Sequence, residues 1–466
     1  MNCRKIGLIS TMAPGDTWDA AIIERIKGRH GVIKGLLTDM GYEVADEGPL
    51  HRTYDAMKNA GRNLRMQDIK ALVIFVGTWT HSNAAAAAAE EAGVPVVVWG
   101  DALPGSCGLV GSTVTMGAMD ELGLYANLVY GPFDDAATLR RAKRLLDAAC
   151  AAVSLRGTTL GVGGGRCMGM LTAVVDPNDI KKRFGVEIDS FEQMALIDRA
   201  EAVDPGRVGH FLDWMRSTFG KMVAKPEALD KQIRLYLAIR DFCGEMGYDF
   251  IALKCLPEMA AKYSSYCLAH AILGDAHDDL GEKPRLVMAC EADIPAALTM
   301  QILKNLAPES PVLFTDLTEY DFGLDLLTTC NCGSQPTDFA PDKSEVHWEK
   351  EGVHEHYWKY GGTCPQHVAK SGRATLARLG RKQGQYELMI APVEVVEQPR
   401  EKLKETVWER PHAYLKLLCD RTDFFSRARA NHVHLVYGDY TEELVEVCAV
   451  LGIKSVECGV RAVRYV

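Results

Sequence analysis

Between residues 71 and 99 the chain reads Ala-Leu-Val-Ile-Phe-Val, a short loop, an alanine-rich run from Asn83 to Glu91, Gly93, and then Pro95 to Trp99. An apolar run with no polar alternation is a strand buried on both faces, and two such runs joined through a helix form a βαβ unit with a parallel sheet. This unit commits the chain to an α/β architecture. Asn83 is placed to cap the helix and Gly93 to end it. Alanine's helix propensity makes Ala84 to Ala89 a packing helix rather than low-complexity sequence.

The pattern continues with a predicted helix over 134–153, whose Leu139, Ala142, Leu146, Ala149 and Val153 share a face while Arg140, Arg141 and Arg144 lie off it. A second α/β region carries strand-like segments at 158–162, 250–254, 285–289 and 311–315. Beyond about residue 326 helical periodicity fades, and short β segments at 374–379, 386–390 and 393–396 suggest antiparallel structure. The chain returns to an α/β pattern with a strand at 432–437 and a helix at 441–451. The reading is a three-domain chain: two parallel-sheet α/β domains, 1–155 and 156–328, then a mostly antiparallel, β-barrel-like domain over 329–466. A length of 466 residues suits two to three domains.

Composition removes several function classes. Lys and Arg number 52 against 62 Asp and Glu, a net charge of −10 with no basic run longer than three, so nucleic acid and anionic membranes are poor partners. No secretion signal or bilayer-spanning apolar run is expected. The 14 cysteines form no C-x-x-C pair, and several, such as Cys243, Cys255, Cys267 and Cys419, sit in apolar runs. They read as reduced thiols of a cytoplasmic protein.

For chemistry, the glycine-rich Gly161 to Gly169 follows a strand but fails the G-x-G-x-x-G spacing, which argues against a nicotinamide-dependent oxidoreductase and leaves a structural turn or a ligand loop. Glu291 and Asp316 each follow a predicted strand. If those strands are parallel, both carboxylates emerge at one edge of the sheet, where open α/β folds bind ligands; the alternative is that they cap the following helices. His432 and His434 share a strand face, and a histidine joined to the two carboxylates completes an O,O,N metal site; the alternative is a hydrogen-bonded core pair. His347, His354, His356 and His367 read as solvated surface, while Arg166, Lys254 and Lys262 lie near the expected crevice.

Taken in order, these segments resemble the L-fucose and L-arabinose isomerase family. The resemblance rests on Leu155-Arg-Gly through Gly164-Gly-Arg-Cys-Met168-Gly169 to Asp176, on Val287-Met-Ala-Cys-Glu291-Ala-Asp293, on Phe314-Thr-Asp316-Leu-Thr and on Ala430-Asn431-His432. Gly77-Thr-Trp79, Trp99 to Gly105 and Gly372 to Arg378 extend it over nearly the whole chain. It implies a metal-dependent aldose–ketose isomerase in which Glu291, Asp316 and His432 bind Mn²⁺, or another divalent cation such as Mg²⁺ or Co²⁺. Glu291 and Asp316 would also be the acid/base pair, with Asn431 and Met168 touching the sugar. Trp79 would reach a neighbouring subunit's site in a homo-oligomer, a hexamer before a trimer. Two departures stand out: Ser10 to Trp18 lacks the family's arginine-bearing loop, and Asn331 stands where relatives tend to have histidine. An oxygen-rich donor set suits those cations, and a Lewis acid on O1 and O2 suits enediol chemistry. The rival reading is a non-catalytic sugar-binding or regulatory protein on the same fold.

Overall fold

The structure is a computed structural model that describes residues 4–15, 18–350, 362–407 and 410–459. His354 and His356 lie outside the described residues. The chain divides into two compact units, Met1–Ser154 with Val445–Val450, and Leu155–Leu444 with Leu451–Val466. Among the described residues no helix is long and apolar enough to cross a membrane.

The first unit holds a five-stranded parallel sheet of β1 (Lys5–Thr11), β2 (Glu43–Asp46), β3 (Ala71–Val76), β4 (Val96–Asp101) and β5 (Ala126–Gly131), in the order β2-β1-β3-β4-β5. Period-two alternation divides the core in two. Val73 and Phe75 of β3 pack on one face with Val97 and Trp99 of β4, while Leu72, Ile74 and Val76 pack on the other with Val96 and Val98. The alanine-rich helix runs Ser82–Ala92 with Ala84 to Ala89 all buried, and Gly93 ends it in left-handed backbone. Small side chains are required there, because a Cβ on Gly61 would stand 2.3 Å from the Ala88 carbonyl oxygen. His81, not Asn83, occupies the N-cap and makes no side-chain cap bond.

The second unit opens with a four-stranded parallel sheet, β6 (Thr159–Gly163), β7 (Glu187–Phe191), β8 (Phe250–Leu253) and β11 (Val287–Cys290), ordered β11-β8-β6-β7. A small hairpin of β9 (His277–Asp278) and β10 (Gly281–Glu282) precedes β11, and β14 (His347–Lys350) pairs with β15 (Thr363–Gln366). The remaining strands are β12 (Val312–Asp321), β13 (Leu326–Cys330), β16 (Gly372–Lys382), β17 (Gln385–Val395), β18 (His412–Leu417), β19 (His432–Tyr437) and β20 (Lys454–Glu457). Six of them run antiparallel in the order β16-β19-β12-β13-β18-β17, and pairing of β16 with β17 closes the ring into a barrel; β20 adds to β17 in parallel.

The expected parallel relation between the strands preceding Glu291 and Asp316 is therefore corrected. β11 lies in the parallel sheet, whereas β12 is a barrel strand, antiparallel to both β13 and β19. The helix Ile294–Leu306 between them gives this stretch the appearance of a βαβ crossover in sequence. Every residue of that helix except Lys304 is buried, since it touches strands of both sheets. The strand at 432–437 likewise belongs to the barrel, and the two segments at 386–396 are one continuous β17.

Of the cysteines read as buried thiols, Cys243, Cys255 and Cys267 are buried and Cys419 is half-buried. His367, expected on the surface, is buried, with its ring in hydrogen-bond contact with Gln335. Burial pushes the imidazoles of His270 and His367 down to about 3 and that of His412 to about 4. Below an ordinary value near 6.5 the unfolded chain protonates these rings and the folded chain does not, so folding stability falls with pH. Each ring contributes about 1.4 kcal/mol per pH unit. Urea unfolding between pH 6.5 and 4.5 is expected to show that decline, with a shallower slope in His367→Gln; an unchanged slope would contradict it.

Candidate functional site

Glu291 follows β11 directly, and Glu291 and Ala292 both hold left-handed backbone, with φ of 61° and 51°. Such conformations cost non-glycine residues about 1–3 kcal/mol each and persist only where the surroundings over-determine them. Here the turn is pinned by the Ala292 N–H donating to the Leu253 carbonyl at 3.1 Å and the Asp293 N–H donating to Cys290 at 3.2 Å. It holds the Glu291 carboxylate 5% exposed and sets Asp293 at the start of the buried helix.

Asp293 is fully buried and serves three partners. Its carboxylate accepts the Ala296 N–H at 2.9 Å, pairs with both terminal nitrogens of Arg378 at 2.9 and 3.2 Å, and lies 2.7 Å from His432 Nδ1. Burial opposes its ionisation, yet Arg378 and His432 hold the carboxyl down to about 2. A carboxylate at Nδ1 fixes the imidazole's orientation and leaves Nε2 to face the other way. There it meets Glu291 Oε2 and Asp316 Oδ1, each 3.5 Å distant. Among the described residues neither Nε2 nor Glu291 Oε2 has a hydrogen-bond partner. Burial works to lower the His432 pKa, but the hydrogen bond to Asp293 and the surrounding carboxylates raise it to about 9.

Asp316 reaches the site from the barrel wall, where it is the cross-strand neighbour of His432 between β12 and β19. Its side chain is 27% exposed and accepts the Asn331 amide at 2.6 Å and the Asn431 amide at 2.8 Å. Phe314, two residues earlier, packs against both histidine rings with centroids 4.5 Å from His432 and 5.2 Å from His434. His434 takes the core role: it is fully buried beside Arg378, and burial drives its pKa well down.

The structure thus gathers Glu291, Asp316, His432 and Asn431. In the glycine-rich turn, burial and then the charge of Glu291 push the Cys167 thiol up to about 12. Met168 stands exposed on that turn with φ 42°, as does Arg166. Lys254 pairs with Glu258, and Lys262 is exposed. Trp79 belongs to the first unit and is exposed. Sequence reasoning quoted Asp293 and Arg378 only within segments that carry the family resemblance and gave neither a role in the site; for Arg378 the available signal was an arginine interrupting the apolar run of β16.

The three donors fit a hard divalent cation in kind, with two carboxylate oxygens and one imidazole nitrogen around two unpartnered buried atoms. Donors at right angles around an ion with bonds of about 2.1 Å stand about 3 Å apart. Among the described residues no group of three or more His, Cys, Asp or Glu has a geometry that could hold a metal ion, and His432 Nε2 stands 3.5 Å from each carboxylate oxygen, about half an ångström beyond that separation.

Residues 329–458 match the family model described as "L-fucose isomerase, C-terminal domain". The last part of this chain is similar to such a domain. It contributes Asn331, Arg378, Asn431 and His432 to the site. Over a longer span the chain is similar to a sulfoquinovose isomerase of Alkalicoccus urumqiensis, 23% identical over 80% of this chain and 82% of the relative. It is also similar to one of Priestia aryabhattai, 21% identical over 78% and 79%. The resemblance carried by the sequence motifs, to fucose/arabinose isomerase-like proteins, holds.

Replacing Asp293 with asparagine leaves Arg378 as an uncompensated buried charge, which costs about 3–5 kcal/mol. Chemical denaturation of Asp293→Asn is expected to show a loss of that size, with part of it recovered in Asp293→Asn/Arg378→Met. Full additivity of the two substitutions would mean the pair does not act as a unit.

Proposed function

We propose that this sugar isomerase is a metal-dependent aldose–ketose isomerase, acting on an open-chain sugar by transfer of a proton between C2 and C1. Its C-terminal domain and its similarity to proteins named sulfoquinovose isomerase support the reaction class. The observation that carries the finer reading is the convergence of Glu291 Oε2 and Asp316 Oδ1 on the unpartnered His432 Nε2.

In this proposal Glu291, Asp316 and His432 would hold the cation, which when bound would supply Lewis-acid stabilisation to the negative charge that develops on the sugar. Asp293 keeps His432 aimed at the cation. One carboxylate of the pair takes the C2 proton of the aldose; the C–H electron pair becomes the C1=C2 bond of an enediol as the C1 carbonyl oxygen gains a proton. Loss of the O2 proton and protonation of C1 then give the ketose. Asn431 and Asn331 steady Asp316 through both oxygens, so the carboxylate keeps one orientation through the cycle. Asn431 and Met168 are proposed to contact the sugar. Homo-oligomerisation with Trp79 reaching a neighbouring site, and residence in the cytoplasm, complete the proposal; the buried thiols suit a reducing compartment.

The test is proton exchange followed by NMR in D₂O with Mn²⁺ across a panel of aldoses and ketoses. Deuterium is expected at C1 or C2 of one sugar and lost with EDTA. Glu291→Gln and Asp316→Asn should each lower the exchange rate by at least about 10²-fold, and His432→Ala should weaken Mn²⁺ retention measured by equilibrium dialysis. Sugar binding without exchange in the Mn²⁺-loaded protein would favour the non-catalytic reading, and exchange retained in both carboxylate variants would end this one.

A further inference from the structure

Within the second unit lies a cavity of about 300 Å³ lined by Arg378, Arg381, Arg427 and Arg429, together with one carboxylate, Glu387. That volume is at the lower end of the range for small-ligand sites. Its wall includes Ala430, which immediately precedes the Asn431 and His432 of the site, and Pro295, two residues beyond Asp293.

The four guanidiniums are not equivalent. Arg378 is neutralised by Asp293 and Arg427 by Asp423 at 2.6 Å. Arg381 donates only to the Val174 carbonyl and stands over the Tyr386 ring, and Arg429 donates only to the Ala428 carbonyl at 3.0 Å. Among the described residues neither of these two forms an ion pair with a carboxylate. In a protein of net charge −10, two unpaired guanidiniums facing one cavity with a single carboxylate leave a local positive excess. Planar guanidinium forks match the oxygens of an oxyanion and bind them with directional, charge-assisted hydrogen bonds.

We propose that this cavity is an oxyanion subsite, with Arg429 and Arg381 as its binding groups, and that it receives a sulfonate or phosphate carried at the far end of the sugar whose C1 and C2 lie at the triad. The second half of the statement rests on the isomerase reading; the first does not. Ala430 gives the geometric link, because its backbone joins the cavity wall directly to Asn431, whose amide holds Asp316.

Two measurements on the full-length protein separate the parts. Isothermal titration with inorganic sulfate at fixed ionic strength is expected to show saturable binding, weakened at least tenfold in Arg429→Ala and Arg381→Ala and partly restored in Arg429→Lys. No saturable binding, or wild-type affinity retained in both alanine variants, overturns the subsite. In the deuterium-exchange assay, kcat/KM for a 6-sulfonated or 6-phosphorylated aldose relative to its neutral parent should fall at least tenfold in Arg429→Ala, chiefly through KM, with sulfate competing against the anionic sugar. Arginine-dependent sulfate binding with an unchanged ratio overturns the link to the sugar and assigns the cavity to a free anion. Arginine-dependent sulfate binding with no exchange on any aldose supports the cavity while sinking the isomerase reading.

Discussion

The Asp293 carboxylate is the point on which the site depends. A single buried anion caps the helix Ile294–Leu306, neutralises Arg378 from β16 and sets the ring of His432 on β19. A buried charge of this kind is expensive unless every lone pair is engaged. Here three donors from three elements engage it, so the cost is met only when the helix and both barrel strands are in place. The result is specificity of arrangement: removing Arg378 or Asp293 leaves the other as a charge without its counter-ion in the core.

Strain is stored next to that anchor. Glu291 and Ala292 hold left-handed backbone two residues before the helix, and the helix cannot relax them because Asp293 is fixed from the barrel side. A glycine at either position would adopt this backbone without cost. The chain instead puts a carboxylate there, where a relaxed turn would aim it elsewhere. Backbone strain at the carboxylate and a fully satisfied carboxylate two residues later are one device, with the second maintaining the first.

Much of this was legible in the sequence, and the parts that were not share a cause. The buried runs of β3 and β4, the Gly93 helix end and the β19 boundaries follow from local chemistry and were read correctly. Glu291, Asp316 and His432 were singled out by residue type and by family resemblance, and the structure brings them together. The relation between β11 and β12 was misread because a strand, a helix and a strand in succession look the same whether the last strand returns to the parent sheet or opens a barrel; only the partners of β12, which lie later in the chain, decide it. Asp293 carried an ordinary cap signal, and nothing local reveals that its partner lies 139 residues away. Arg378 was hidden in the same way, as a charge in a strand whose counter-ion caps the helix Ile294–Leu306.

The two carboxylates of the triad are held by different means, and the difference follows from their origins. Glu291 comes from the end of a parallel strand and is shut away from solvent with one oxygen unpartnered; Asp316 comes from a barrel wall, half-exposed, with both oxygens held by asparagine amides. The two carboxylates thus face one locus, the His432 Nε2, from separate surroundings. Neither a parallel sheet edge nor a barrel interior alone supplies such a pair. Their junction does, because the buried helix Ile294–Leu306 fixes the end of one against the wall of the other. The locus therefore exists only in the closed barrel, where β19 is paired with β12 and β16 at once. A cation that binds these donors binds the folded state alone, so by linkage its binding energy also stabilises the fold.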